Sequence, residues 1–527
     1  MFKILLGKLV VSFKKIYFSF VACLLIAVFI QTVYADSFSD KKPARIKLSS
    51  PEDLKRLVKT KIIIDKVTRE TANAYISQDE FSMLEKSGFS VQWLPDDAKV
   101  AHDLYFNNKA LSKEKSTGLN YPTYAELTDD LTTIASNYPA ICKLESAGQS
   151  VRGKELWWIK ISDNVNTEEA EPEVHYISTL HGNEPIGTVL CLEFIKYLTA
   201  GYSSDTEIQN LINTTEIWIM PLMNPDGYDE NSPQRFNANG DDLNRSFPDP
   251  SSSAIDTYWE TEGKPPEVSA IMNWALNHTP VLGASFHSGS LVVNYPFDYT
   301  QALCPDNALF EYISLKYAEL NPPMYSSIGH GIVRGSLWYE IKGGLQDWTY
   351  LATGSNHVTI ELNSNKEPLE SELTGLWDDN RESMMAYLQS VHYGVKGMVT
   401  DKTSGEPVSG WIRVEEIDHA VYTDPDVGDY HRMLVPGDYT LIVRAEGYSS
   451  FSQSITIAEG TVLEVDVALD PGEDNSGDTG NNWPKKTNTG GNTSSGGGAT
   501  PSTPDTDDVT TAGSSSGCFI TDIEKNY

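Results

Sequence analysis

The alternation of apolar and polar positions changes texture several times along the chain. Between about 121 and 393, short apolar runs at 142–146, 156–162, 174–180, 216–221, 281–287 and 357–362 are separated by stretches of helical period such as 123–138. Strands that alternate with helices predict an α/β fold, with a sheet covered by helices on both faces. After about Gly394 the runs become short and alternating, at 395–400, 411–414, 439–443, 454–457 and 462–468. Turn signals at Thr403-Ser404-Gly405 and Pro436-Gly437-Asp438 separate them, and this spacing predicts a small all-β sandwich ending near Pro471.

Ahead of the α/β region, residues 43–98 predict a small α+β unit. Runs at 44–48, 62–65 and 91–94 read as strands. Ser50-Pro51-Glu52-Asp53 opens a helix to about Val58, with Pro in the first turn, and 78–87 reads as a second helix. A propeptide-like or accessory role fits this position, and the polar run 97–118 reads as a linker.

The two ends are different again. Lys3, Lys8, Lys14 and Lys15 precede an apolar core at 18–30 and a small-residue site, Val33-Tyr34-Ala35, which is the order of an export signal. An uncleaved anchor over 16–34 is the alternative. From Gly472 the chain is Gly, Ser, Thr, Asn and Asp with little to bury, so a disordered tail is expected. Its end, Cys518-Phe519-Ile520, reads as a terminal apolar scrap or as an attachment signal. The division is then 1–35 signal peptide, 36–117 N-terminal unit and linker, 118–393 α/β domain, 394–471 β-sandwich and 472–527 tail.

Composition narrows the function class. A formal net charge of −33 argues against nucleic acid and anionic membrane surfaces, which repel such a chain. It suits a secreted protein that handles cationic peptides, and equally a charge that only keeps the chain soluble. The five cysteines, Cys23, Cys142, Cys191, Cys304 and Cys518, form no CxxC and no disulfide framework, and one bridge among Cys142, Cys191 and Cys304 stays open.

Candidate chemistry begins at the apolar run 174–180, which leads into His181-Gly182-Asn183-Glu184. Ligands bind at the carboxyl ends of strands in open α/β sheets. Imidazole and carboxylate are both zinc ligands, and two His with one Glu and an open fourth position is a catalytic zinc shell. With ten histidines, roughly one HxxE arises by chance, so the pair gains meaning only from matching residues later in the chain.

Those residues are present. His287 ends a second apolar run in Ala284-Ser285-Phe286-His287-Ser288-Gly289, and Glu361 lies in His357-Val358-Thr359-Ile360-Glu361-Leu362. Between Glu184 and His287 lie Asn224-Pro225-Asp226-Gly227 and the stretch from Arg235 to Arg245, which holds Asn244. On these motifs the segment 121–393 resembles the zinc carboxypeptidase family, nearest to its regulatory D, E, M and N branch. The β-sandwich resembles that branch's transthyretin-like domain.

The resemblance implies a mixed sheet and one zinc ion per catalytic domain, bound by His181, Glu184 and His287. It implies Glu361 as general base, Arg235 as oxyanion support and Tyr339 as a mobile active-site tyrosine. Asn244 and Arg245 match the pair that grips a terminal carboxylate, by parallel hydrogen bonds in the case of the guanidinium. Asp298 and Gln346 match positions that receive a basic side chain. Where the branch reads His-Gly-Gly, this chain has Ser288 in second place.

The expected function is an exported zinc metallocarboxypeptidase acting on peptides or proteins with a free C-terminus and releasing Lys or Arg. No nucleic-acid partner and no membrane span after signal cleavage are expected, and the oligomeric state is left open. The alternatives are a cell-wall peptide endopeptidase on the same scaffold and a non-catalytic cell-surface binding protein. The first need not hold a free carboxylate, against which the Asn244-Arg245 pair counts. The second would be expected to lose a ligand or Glu361, and all are present.

Overall fold

The computed structural model describes residues 41–95, 118–228, 233–251 and 257–472. The expected signal at 1–35, most of the linker and the tail beyond 472 lie outside the described residues.

The N-terminal unit is a four-stranded antiparallel sheet with two helices. Strands β1 (Lys42–Lys47), β2 (Ile63–Val67), β3 (Thr71–Ile76) and β4 (Ser90–Trp93) lie in the order β2-β3-β1-β4, which leaves β2 at an edge. Ser50 caps the helix Pro51–Val58 by accepting the Asp53 N–H, and Ser77 with Glu80 forms a capping box on Gln78–Lys86. Strand β3 escapes the sequence pattern because Ala and Asn, weak strand formers, fill its alternate positions. Pairing with β1 and β2 makes it a strand.

The α/β domain is built on eight strands: β5 (Cys142–Gln149), β6 (Glu155–Ile161), β7 (Glu173–Ser178), β8 (Glu216–Met220), β9 (Pro280–His287), β10 (Ser290–Tyr295), β11 (Ile332–Arg334) and β12 (Asn356–Asn363). Their order is β11-β10-β12-β9-β7-β8-β6-β5, and the sheet is mixed. The central neighbours β12, β9, β7 and β8 are parallel, while β5, β6 and β10 run antiparallel to their neighbours β6, β8 and β12. Central strands buried on both faces read as continuous apolar runs, and β7, β8 and β9 are buried throughout.

Alternate strand residues feed two cores. Val174, Tyr176, Ile217 and Ile219 pack with the helices Tyr124–Asn137, Ile186–Gly201, Asn307–Glu319 and Glu370–Gln389. Ile177, Trp218 and Met220 face the other way, onto Pro266–Asn277 and Leu345–Thr353. Strand β10 was not evident from sequence because only Ser288 and Gly289 separate it from β9. Gly289, at φ 127°, makes that break in a conformation other residues rarely adopt.

Two four-stranded sheets complete the described chain and enclose a core of their own. The run expected as one strand over 462–468 is two, Val462–Glu464 and Val467–Leu469. Between them the Asp466 carboxylate takes the Met398 N–H that a continuous ladder would have bound. A fully buried ion pair from Arg432 to Asp306, at 2.7 Å, ties this region to the α/β domain. Cys142, Cys191 and Cys304 are buried free thiols, so the bridge left open among them is absent. No helix among the described residues is long and apolar enough to cross a membrane.

Candidate active site

Three adjacent parallel strands deliver three groups to one edge of the sheet. His287 is the last residue of β9, Glu361 faces it in register on β12, and His181 lies just beyond the end of β7. The turn after β7 begins at Thr179, whose φ of 55° is unusual for a β-branched residue. Buried bonds from Thr179 Oγ1 to the Glu184 carbonyl and to Thr188 hold that conformation, and Glu184 N–H closes the turn on the His181 carbonyl.

The Asn224–Gly227 motif buttresses this turn. A Cβ on Gly182 would lie 2.0 Å from the Gly227 carbonyl carbon, so glycine alone fits. Asn224 Nδ2 donates to the Leu180 carbonyl and more weakly to that of Arg235, and its Oδ1 accepts the Gly227 N–H. The His181–Glu184 turn and the loop of Arg235 are thereby fastened to one side chain.

His181 Nδ1 and His287 Nδ1 lie 3.1 and 2.8 Å from Glu184 Oε2, and all three residues are buried. Ligand atoms about 2.1 Å from one tetrahedral zinc stand about 3.4 Å apart, so the set fits that ion. His181 Nε2 lies 3.1 Å from Asp242 Oδ1, which fixes the tautomer that leaves Nδ1 for a metal. Burial alone would raise the Glu184 pKa, but Lys366 and His181 hold it well below the usual carboxylate range. Glu361 has a buried Oε2 without a hydrogen-bond partner among the described residues, and burial with the nearby Glu184 charge pushes its pKa up to about 7.

Arg235 is 3% exposed, with Nε on Asp242 at 2.9 Å and Nη1 on Asp65 at 2.8 Å. Burial opposes its charge, yet Asp242, Asp65 and Glu184 outweigh that and raise its pKa. Asp242 also accepts the Asn244 N–H, so one carboxylate orients His181, Arg235 and the turn carrying Asn244 and Arg245. Asn244 Oδ1 accepts the Leu345 N–H, which settles its amide orientation.

Asp298 is 3% exposed and accepts a bond from Asn294 Nδ2 at 3.1 Å. Its carboxylate lies so close to Gly335 that a Cβ there would meet Asp298 Oδ1 at 1.6 Å. Burial pushes the Asp298 carboxyl up to about 6, against the Asn294 bond. The neighbouring Asp347 takes the backbone N–H groups of Asp298 and Tyr299.

Nine of the ten residues selected from sequence line one cleft of about 560 Å³. Gln346 does not line it; it is 1% exposed, beside Asp347, and neither of its amide atoms has a hydrogen-bond partner among the described residues. Sequence reasoning passed over Asp242, although an acid between two arginines was a readable signal. It also passed over Lys366, whose Nζ lies 2.8 Å from Glu184 Oε1, and over Asp65 and Tyr75, which reach the cleft from the N-terminal unit. Ser288, the departure from the family pattern, donates to the Lys366 carbonyl and steadies that loop.

A profile of the zinc carboxypeptidase family matches residues 127–383, and one of a carboxypeptidase regulatory-like domain matches 394–470. Carboxypeptidase D of Homo sapiens is 40% identical over 64% of this chain, which spans only 26% of that protein. Carboxypeptidase M of Mus musculus is 37% identical, over 62% of this chain and 78% of that protein. For carboxypeptidase E of Caenorhabditis elegans the figures are 35%, 72% and 92%. Carboxypeptidase A from Helicoverpa armigera shares the fold, with a TM-score of 0.54 at 18% identity over 66% of this chain and 97% of that one. Matched over nearly the whole length of such a relative, and bringing together His181, Glu184 and His287, which could hold a metal ion, where the strands of its mixed sheet end, the chain belongs to the zinc carboxypeptidase family.

Proposed function

We propose that the protein is a zinc-dependent carboxypeptidase that hydrolyses the last peptide bond of peptides or proteins and releases C-terminal Lys or Arg. The observation that carries this reading is Asp298. A buried carboxylate shares the cleft with the metal triad and has no cation within ion-pair distance among the described residues. A buried charge without a counter-charge is poorly tolerated, so a cationic side chain is the ligand that completes it.

One zinc ion held by His181, Glu184 and His287 would supply a polarised water. Glu361 takes the proton and passes it to the leaving amine, a task suited to a carboxylate whose pKa lies near 7. Arg235, kept charged by three acids, holds the carbonyl oxygen as it becomes negative. Asn244 and Arg245 grip the terminal carboxylate, which restricts the enzyme to chain ends. Tyr339 closes the cleft from the side of the short helix Gly335–Trp338. The basic, apolar and small-residue order of 1–35 supports export, so the substrates are extracellular peptides.

The test is product analysis by mass spectrometry, with zinc-loaded protein and matched peptides bearing a free or an amidated C-terminus. Loss of one Lys or Arg from the free form only is expected. Equal cleavage of both forms, or internal cleavage, would overturn the reading.

A further inference from the structure

The loop 298–306 begins at the cleft acid Asp298 and ends at Asp306, and one helix holds both ends. In Leu345–Thr353, Asp347 and Tyr350 stand three residues apart and so share a face. Asp347 accepts the N–H groups of Asp298 and Tyr299, each at 2.9 Å. The Tyr350 hydroxyl donates to Asp306 Oδ2 at 2.9 Å, with both residues buried. Burial raises the Tyr350 pKa well above its usual value and the Asp306 charge adds to that, so the hydroxyl stays a donor. The same ring meets Phe297, the neighbour of Asp298, edge-on at 5.8 Å.

The β-sandwich supplies the outer half of this clamp. Arg432, from the strand Asp429–Arg432, places Nη2 2.7 Å from Asp306 Oδ1 and donates from Nη1 to the Met433 carbonyl at 3.1 Å. His419, from Ile417–Tyr422, stacks on the Tyr350 ring, with centroids 3.8 Å apart and planes inclined by 16°. Burial lowers the His419 pKa to about 4, so the stacked imidazole is neutral at neutral pH. A buried ion pair is weak evidence for stability, because apolar residues of similar volume often replace it without loss. What Arg432 and Asp306 fix here is direction: with Asp306 Oδ1 taken by the guanidinium, Oδ2 is left to place the Tyr350 hydroxyl.

We propose that the β-sandwich sets the side-chain specificity of the cleft, with Arg432 and His419 as positioning residues that hold Tyr350 and, through its helix and Phe297, hold Asp298 in place for a basic side chain. This rests on the carboxypeptidase reading with its Lys or Arg preference. Placement matters because a shift of about 1 Å at a binding group, even from a remote change, can cost on the order of 100-fold. The start of the helix is pinned separately, since Asn244 Oδ1 accepts the Leu345 N–H at 3.0 Å. Loosening the far end at Tyr350 therefore disturbs the Asp298 side and spares the grip on the terminal carboxylate.

The test uses the zinc-loaded full chain as wild type, Tyr350→Phe, Arg432→Lys, and the paired change Arg432→Met with Asp306→Leu. The paired change exchanges a buried ion pair for apolar volume, and Tyr350→Phe deletes only a hydroxyl, so it decides the matter alone should the paired change not fold. KM and kcat are measured on matched peptides ending in Arg and in Leu, with calorimetric Kd for free L-arginine and L-leucine. In Tyr350→Phe and the paired change, KM for the Arg peptide and Kd for L-arginine should rise about tenfold, while kcat and both leucine values hold. Arg432→Lys, which keeps the cation, should restore most of the wild-type preference. Equal losses on the Arg and Leu peptides mean a structural role only and overturn the proposal. Unchanged KM and Kd in Tyr350→Phe and the paired change overturn it and leave the carboxypeptidase reading intact. With no turnover in any form that reading fails, and Kd decides: weaker arginine binding in the variants alone supports the positioning role, and equal or absent binding overturns it.

Discussion

Replacing Asp298 with Asn removes one negative charge from the cleft and almost no volume. The side chain is held from two sides, by Asn294 Nδ2 at 3.1 Å and by a close approach to Gly335 that leaves no room for a Cβ. The amide oxygen of an asparagine can still accept the Asn294 bond, so the change isolates the charge. Losing one partner of a buried ion pair costs on the order of 2–5 kcal/mol. At about 1.4 kcal/mol per tenfold, kcat/KM on peptides ending in Arg or Lys falls by roughly 30- to 5,000-fold, while peptides ending in Leu or Phe hold steady or gain. The pH dependence supplies an internal check. Burial raises the Asp298 pKa to about 6, so the carboxyl is charged above that pH and neutral below it. Because kcat/KM reports the free enzyme, the wild-type ratio of Arg to Leu should collapse as pH falls through about 6. The ratio in Asp298→Asn should show no such step. The assay is kcat/KM on four matched peptides across pH 5 to 8, a window of about one unit below and two above that pKa. A wild-type preference for Leu or Phe, or an Arg preference that survives in Asp298→Asn, refutes the assignment.

The same geometry sets four further outcomes. His287→Ala should lose most of its zinc by metal analysis, since three protein ligands are the minimum for such a site, and equal zinc in both forms refutes the ligand set. Glu361→Gln should keep zinc and KM while kcat drops by about 10²- to 10⁴-fold; a change under about tenfold means the proton goes elsewhere. Asp242→Asn removes the charged acceptor shared by His181 and Arg235, so zinc affinity should weaken about 10- to 100-fold in a chelator competition, and unchanged affinity refutes its orienting role. Gly182→Ala forces a Cβ against the Gly227 backbone and should cost about 1–3 kcal/mol, read as a lower Tm; an unchanged Tm refutes the packing argument.

Much of the architecture was legible because its signals are local. The double-sided burial of β7 and β9 shows as unbroken apolar runs, and the helix starts at Ser50 and Thr123 show as capping residues, each within a few positions of the feature it predicts. The residues from Arg235 to Arg245 were readable because the chemistry of arginine, asparagine and carboxylate belongs to the residue types themselves. Strands that depend on their neighbours were not, and β3, with Ala and Asn at alternate positions, is the example.

Convergence of the site was decided by the sheet. The order β12-β9-β7 brings Glu361, His287 and His181 to one edge, and no local period encodes which strands lie side by side. Asp65 is the extreme case, since its cationic partners are 170 and 301 residues away in sequence and its aim depends on a bulge in an edge strand. Residue chemistry and hydrophobic period act over a few positions, and the sequence alone carries them. Electrostatic partners act across space, and only the packed chain sets which charges meet.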